Sequence, residues 1–531
     1  MTNDKQPIII MNENSNRTIG RDAQRNNIMA ARIVADTIKT TLGPKGMDKM
    51  LVDSLGEITV TNDGVTILEE MEIEHPAAKM IVEIAKTQDK EVGDGTTTAV
   101  MIAGKLLENA EKLLDSKIHP TVITKGYRLA AEKAQDLIQI LATDIDSSDQ
   151  LLKELVYTSL ASKNASAKKE KFAEIIVKAV KQIEENGKID LNNIKIEKVK
   201  GEGIEDTELV EGIVLDKERV SIDMPSKIEK ARIALIDSAL EIKGPETEAK
   251  ISVTSPEQLQ SFLEREEKLL KGMVEKVRVS GANVIFCQKG IDDLVSYYLA
   301  KNGVYACRRV AKSDMEKLAK ATGARIVSNI NELATSDLGN AEVVEQASTS
   351  EDSLTYVRGC KNPKALTILI RGGTEHIISE IERAIKDGMG VIASVLKDKK
   401  ILPGAGAIEV ELAKRLRDYA ISLGGREQLA VEEFASALEC IPITLAENAG
   451  LDPIDVLTEL RSRHMAGEKN AGINLLTGKI EDSIMAGIIE PIRIKIQAID
   501  SATEVAVMIL RIDDVIASST KSSRQQMPEM E

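Results

Sequence analysis

The spacing of apolar residues changes twice along this chain, and no other feature restricts its fold as much. From about Arg21 to residue 145, and again beyond Leu402, apolar residues recur three and four apart, the period of amphipathic helices. Between about residues 213 and 370 they gather into short runs, Ile233-Ala-Leu-Ile236, Val284-Ile-Phe-Cys287, Arg325-Ile-Val327 and Leu366-Thr-Ile-Leu-Ile370, separated by helical stretches. Strands alternating with helices predict an α/β domain, and its place between two helical halves predicts an insertion in an otherwise helical chain. At 531 residues the chain exceeds a single core, so about three to four domains are expected.

Composition narrows the function classes. Aromatics make up only 2% of residues, with no Trp, so the core is built from Ile, Leu, Val, Ala and Met, and stacking on nucleic-acid bases has little to work with. A net charge of −15 likewise speaks against a nucleic-acid surface and for solubility. Cys287, Cys307, Cys360 and Cys440 are far apart with no CxxC pair, which predicts reduced core thiols rather than a zinc site or a disulfide framework. The three-isoleucine run near the start is too short for a signal-peptide core, and no apolar stretch reaches membrane-spanning length, so a cytoplasmic protein without membrane or nucleic-acid partners is expected.

Local signals place the elements. A helix is predicted from about Arg21 to Leu42, broken by Gly43-Pro44-Lys45-Gly46. Ile58 to Thr61, Asn62-Asp63-Gly64 and Val65 to Leu68 read as two β-type runs around a tight turn. A helix starts at Pro76 and runs up to Gly93. Ser313 with Glu316 reads as a capping box on a helix closed by Gly323. Ser255-Pro256 opens a long helix carrying Leu259, Phe262, Leu263, Leu269, Leu270, Met273 and Val277, which either projects from its domain or lies on it. Arg371-Gly372-Gly373, a candidate hinge, precedes a helix bearing Ile378, Ile381, Ile385, Ile392 and Val395. The run Ile509 to Ile516 has strand character, and the last dozen residues read as a disordered tail.

The stretch most suggestive of chemistry is Gly93-Asp94-Gly95-Thr96-Thr97-Thr98, which runs into a helix with Val100, Ala103, Leu107, Ala110 and Leu114 on one face. N–H groups at a helix start lack intrahelical partners and accept anions. Glycines admit a close ligand, threonines add hydroxyls, and an acid beside phosphate calls for a cation such as Mg²⁺ between them. Asp and Thr are also ordinary capping residues, so the loop alone reads either as a Mg-nucleotide site or as a plain N-cap.

Other motifs are missing. Each Gly-Lys is followed by Leu106, Ile189 or Ile480, so there is no Walker A loop, and no GxGxxG follows a strand. His75, His119, His376 and His464 have no metal-ligand spacing. Carboxylates remain for proton chemistry: Asp63 in its turn, Asp94 in the glycine loop, and Asp387, whose helical position about 200° from Ile385 points it away from the apolar stripe like a solvated acid.

Taken together, TTLGPKGMDKM at 40–50, VTNDGVTIL at 60–68, GDGTTT at 93–98, CKNPKALTILIRGGTEH at 360–376, PGAGAIEVELAKRL at 403–416 and GIIEPIRIKIQAIDSATE at 487–504 closely resemble the group II chaperonins, above all archaeal thermosome subunits. The resemblance runs from about residue 15 to 518. It implies a multidomain α and α/β chaperonin fold: a mostly helical equatorial domain from 1–145 and 403–531, an intermediate domain from 146–212 and 371–402, and an α/β apical domain at 213–370, with a helical protrusion at about 243–276 serving as built-in lid.

The resemblance also assigns roles. Thr41, Leu42, Gly43 and Pro44 line the nucleotide, Asp94 binds Mg²⁺, and Gly95, Thr96, Thr97 and Thr98 hold the phosphates of ATP. Lys163 senses the γ-phosphate, Gly404, Ala405 and Gly406 approach the nucleotide, and Asn474 and Glu490 contact its sugar or base. Asp387 orients or deprotonates the attacking water, with Asp63 as its partner. Ala405 and Asn164 stand where many members have glycine, and Gly388 where alanine is common, which loosens the helix beside Asp387. The implied activity is ATP-driven enclosure of non-native proteins in a double ring of this subunit or paralogues, about eight or nine per ring, with no separate lid protein. Two rivals from other classes are a metabolite kinase with a glycine-rich loop and a ring scaffold that binds nucleotide without turnover.

Overall fold

The computed structural model describes residues 15–146, 148–161, 168–185, 187–201, 203–242, 255–348, 353–361 and 363–518. Close packing divides the chain into two compact units, one from residues 1–146 and 398–531, the other from 147–397.

The first unit is helical. Its core gathers Ile28, Ile38, Ile81, Ile102, Leu107 and Tyr127 from the first chain segment with Leu412, Phe434, Ile499 and Val507 from the second. The helix Thr96–Asp115 carries thirteen buried residues and packs against Arg21–Lys39, Pro76–Val92 and Ile492–Leu510. A helix apolar on so much of its circumference has to sit centrally. The strands Ser15–Ile19 and Asp514–Ser518 pair antiparallel. Among the described residues no helix is long and apolar enough to cross a membrane, and all four cysteines are buried free thiols.

Two segments of this unit differ from expectation. The run after Asp63 is a helix, Gly64–Glu70, because the Asp63 carboxylate accepts from the Thr66 N–H at 3.0 Å and from its hydroxyl at 2.7 Å. A side-chain cap thus outcompetes the β preference of Val-Thr-Ile, and the partner of strand Ile58–Thr61 is Lys49–Val52, upstream. Near the other end, Ile509 and Leu510 close the helix Ile492–Leu510, and the strand begins only at Asp514. The expected tail lies outside the described residues.

The second unit holds an α/β layer. Tyr305–Cys307, Val284–Cys287 and Lys227–Ile236 run parallel, and Gly339–Ser348, Ser353–Arg358 and Gly212–Leu215 continue the sheet antiparallel. Strand alternation splits its side chains between two cores: Ile233, Leu235, Val284 and Phe286 with Met315 and Leu318 of the helix Lys312–Thr322, and Ala234, Ile236, Ile285 and Cys287 with Leu270, Val274 and Val277 of the helix Pro256–Ser280. The helix Lys312–Thr322 starts two residues earlier than a Ser313 cap requires. Its N-cap is Ala311, without a side-chain hydrogen bond, so the Ser313–Glu316 box does not form, while Gly323 closes the helix at φ 75° as expected.

Ser255 does cap its helix, accepting from the Gln258 N–H. Every residue from Pro256 to Arg265 is exposed, Leu259, Phe262 and Leu263 included, and the first fully buried side chain is Leu270. This helix lies on the sheet only with its C-terminal half, and its N-terminal half is exposed. A smaller sheet, Ile194–Lys200, Leu366–Gly372 and Glu208–Val210, completes the unit with the helices Asp149–Leu160, Lys169–Ile183 and Glu375–Asp398.

Candidate functional site

The loop between the helices Pro76–Val92 and Thr96–Asp115 is set by two left-handed glycines. Gly93 ends the first helix at φ 79°, its N–H donating to Asp89 O at 2.8 Å. Gly95 starts the second at φ 80°. Between them, Asp94 Oδ1 accepts from the Gly95 N–H at 2.6 Å rather than from the first turn of the helix, and no side chain among the described residues caps that start. Elsewhere in the chain Asp63, Ser148, Ser255 and Asp452 cap helix starts with their side chains. The plain N-cap alternative for this loop is therefore not what the chain forms. A long central helix presents its first-turn N–H groups uncapped, beside a carboxylate.

Neighbouring segments converge on this loop. Gly64, at the start of the Asp63-capped helix, lies so near that a Cβ there would meet Thr97 Oγ1 at 2.7 Å and Thr96 Oγ1 at 3.1 Å. Gly95 is pressed against Ile494 Cγ2, which a Cβ would meet at 2.6 Å. Two residues before the glycine loop, Leu402 faces Glu490, and a Cβ on Gly404 would lie 3.0 Å from Glu490 Oε1. Ala405 adopts φ 58°, and its carbonyl accepts from Ile473 N at 3.0 Å. That contact ties the Gly404-Ala405-Gly406 loop to the hairpin Ala471–Asn474 and Lys479–Asp482. Gly43, at φ 84°, packs on Leu445 and on Leu475 of that hairpin, and Asn448 Nδ2 holds Leu42 O at 2.9 Å.

The first unit thus brings together Thr41 to Pro44, Asp63, Asp94 to Thr98, Gly404 to Gly406, Asn474 and Glu490. Some of these side chains already have local work. Thr41 Oγ1 donates to Ile38 O at 2.8 Å. Asn474 Oδ1 accepts from Leu476 N at 3.0 Å, and its amide donates to Glu481, which fixes the hairpin turn. Lys163 lies outside the described residues. Asp387 belongs to the second unit and is buried rather than solvated. The helix Glu375–Asp398 buries Ile385 and, past the exposed Lys386, Asp387, Gly388 and Met389, with Ile176 and Val156 of two other helices close to Gly388. Gly388 allows that approach: a Cβ would meet Ile176 Cδ1 at 2.9 Å.

Electrostatics centre on Glu490. Lys495 Nζ lies 2.7 Å from Glu490 Oε2 and 2.7 Å from Glu409 Oε1, and the lysine is 5% exposed. Burial raises the Glu490 carboxyl above its ordinary value; Lys495 opposes this, and Glu409 and Asp94 add to it. Burial works against the Lys495 charge, yet the two carboxylates hold its ammonium above the ordinary lysine value. Two acidic side chains thus share one ammonium in this wall.

A divalent cation fits Asp94. One of its oxygens is used by Gly95 N–H and the other takes no hydrogen bond among the described residues. No group of three or more His, Cys, Asp and Glu assembles among them, so a cation at Asp94 would take the rest of its ligands from phosphate and water, as Mg²⁺ does.

Sequence reading passed over Gln88, Gly64, Glu409 and Lys495. The lysine had a visible signal, a charge that with Arg493 interrupts the apolar alternation from Ile492 to Ile499. Gln88 had none.

The fold defines a multidomain α and α/β protein, its helical unit assembled from both chain ends around an inserted α/β unit. The chain belongs to the TCP-1/cpn60 chaperonin family, whose profile matches residues 34–520. It is 58% identical over 523 residues to a thermosome subunit of Methanopyrus kandleri, covering 98% of this chain and 96% of that one. To thermosome subunit beta of Archaeoglobus fulgidus it is 59% identical over 518 residues, 97% and 95% of the two chains. To thermosome subunit beta of Methanothermobacter thermautotrophicus it is 57% identical over 531 residues, 100% and 98%. The chain is a chaperonin subunit, as its motifs led one to expect.

Proposed function

We propose that this subunit binds and hydrolyses Mg-ATP and, as a member of a double ring, uses that cycle to enclose non-native proteins while they fold. One observation carries the reading: the uncapped start of Thr96–Asp115, behind two left-handed glycines and beside the carboxylate of Asp94. In this reading Gly95 and Thr96 to Thr98 bind the phosphates, Asp94 holds the cation, and Thr41 to Pro44, the Gly404 loop, Asn474 and Glu490 surround the nucleotide. The cation would neutralise phosphate charge when bound. Asp387 orients or deprotonates the attacking water, Asp63 assists it, and Lys163 reads the γ-phosphate. Phosphoryl transfer needs chiefly positioning and charge neutralisation, which such a set can supply.

The domain scheme is part of the proposal: equatorial segments at 1–145 and 403–531, intermediate segments at 146–212 and 371–402, and an apical part at 213–370 whose protrusion acts as lid. So are rings of about eight or nine subunits, of one kind or several, and a cytoplasmic setting, which the buried free thiols favour. Asp387→Ala is expected to bind ATP with near-normal affinity and to lose turnover by at least about a hundredfold. Undiminished hydrolysis would remove Asp387 from the mechanism. Electron microscopy of the purified protein tests the assembly: stacked rings are expected, and monomers or dimers with acceptor-dependent ATP use would point to a kinase instead.

A further inference from the structure

Gln88 sits in the last turn of Pro76–Val92, directly beneath the Asp94 loop, and is fully buried. Its Nε2 donates to the Asp94 carbonyl at 2.8 Å and to the Ile494 carbonyl at 3.3 Å. Two carbonyl acceptors on one end of the amide fix that end as the nitrogen. The other end, Oε1, is buried with no hydrogen-bond partner. A buried amide with an unanswered oxygen is a poor way to fill space, since an apolar side chain of equal volume leaves nothing unsatisfied. What Gln88 does must therefore lie with its two N–H groups, and these hold the peptide of Asp94 against the first turn of the helix that follows Glu490.

The loop has little else to hold it. Gly93 and Gly95, both left-handed, flank Asp94 and leave its peptide planes free to rotate as no pair of larger residues would. A Cβ on Gly95 would come 3.2 Å from Gln88 Nε2, so the glamour of a small residue at 95 and the amide at 88 belong to one arrangement: the chain passes close over the glutamine, and the glutamine pins its carbonyl. With that carbonyl pinned, the Asp94 side chain leaves the backbone in one direction.

We infer that Gln88 is a positioning residue for Asp94: by clamping the Asp94 carbonyl to Ile494 it sets the direction in which the carboxylate meets a divalent cation. The inference rests on the reading of Asp94 as cation ligand. Gln88 touches neither cation nor nucleotide, so its loss changes how much Mg²⁺ is needed rather than how nucleotide alone binds.

The test uses the assembled full-length protein and titrates Mg²⁺ at fixed ATP for the unsubstituted chain, Gln88→Met and Asp94→Asn, with a fluorescent nucleotide measured separately in EDTA. Gln88→Met keeps the volume and removes both donors. It is expected to raise the half-saturating Mg²⁺ concentration by about tenfold, the effect of losing one well-made hydrogen bond, with binding in EDTA within about twofold. Asp94→Asn is expected to raise the Mg²⁺ requirement further. A raised requirement in Asp94→Asn with none in Gln88→Met overturns the role of Gln88 alone. No change in either overturns the cation reading and this inference with it. Should Gln88→Met fail to assemble, Gln88→Leu decides: it also fills the space and removes both donors, so a raised Mg²⁺ requirement supports the inference and an unchanged one rules it out.

Discussion

Glu439, 1% exposed, is gripped by two arginines: Arg417 reaches both of its oxygens, and Arg461 donates to Oε1 at 2.7 Å and also to Oε2. Burial pushes this carboxyl up, but the hydrogen bonds and charges of Arg461 and Arg417 outweigh it and hold the group below its ordinary value. A carboxylate with a depressed folded value stabilises fully above its unfolded value, about 4.3, and loses that contribution as pH falls through the lower folded one. Glu439→Gln should therefore cost about 1–3 kcal/mol at neutral pH, because the hydrogen bonds to two cations weaken while the arginines, 34% and 48% exposed, keep access to water. Thermal melts of the variant should also flatten below about pH 4.3 relative to the unsubstituted protein; an equal acid slope in both would clear Glu439 of this role. Ala405 stores strain of the opposite kind. At φ 58° it occupies a backbone region costing about 1–2 kcal/mol for a residue with a Cβ, so Ala405→Gly should raise the melting midpoint slightly, the gain being trimmed by the looser unfolded chain. Sequence made the Gly-Asp-Gly residues visible because special backbone angles demand special residues. It hid Gln88, one of whose partners is 406 positions away, and Glu439, whose arginines are each 22 positions away on two other helices.

At the scale of elements, the helices were legible where an apolar stripe of period 3.6 met a Pro or Gly boundary, as at Pro76 and Gly93. They were not legible where a polar side chain decided between two conformations. Val65 to Leu68 has the composition of a strand, and the Asp63 carboxylate turns it into a helix. That switch matters for the candidate site, since it places one helix start against another, Gly64 beside Thr96 and Thr97. Gly64→Ala should push Thr97 aside, its Cβ falling 2.7 Å from Oγ1 and 3.3 Å from the Thr97 backbone nitrogen. We expect nucleotide affinity to fall by roughly tenfold, the size of one lost hydrogen bond, while the fold persists by circular dichroism. Unchanged nucleotide binding in a folded Gly64→Ala protein would place the phosphates elsewhere.

For the whole molecule, the change of hydrophobic period marked an inserted α/β unit before any geometry was known, because insertion leaves the two helical halves to share one core. Which surface the molecule uses on its substrates is decided by exposure, a property that periodicity does not report. Leu259, Phe262 and Leu263 are spaced like the buried stripe of an ordinary helix, yet they are 51%, 41% and 56% exposed. Apolar side chains standing clear of their own unit need a partner in the assembled state. If that partner is the matching protrusion of neighbouring subunits closing a chamber, deletion of residues 247 to 265, which stops short of the buried Leu270, removes the closure and leaves the core of the sheet whole. The core of the helical unit does not include that segment, so rings should still form and ATP hydrolysis should continue at a comparable rate. A bound non-native protein should then be digested by added protease in the presence of ATP, where the full-length ring protects it. Continued protection after the deletion would mean that the chamber closes by another part of the chain.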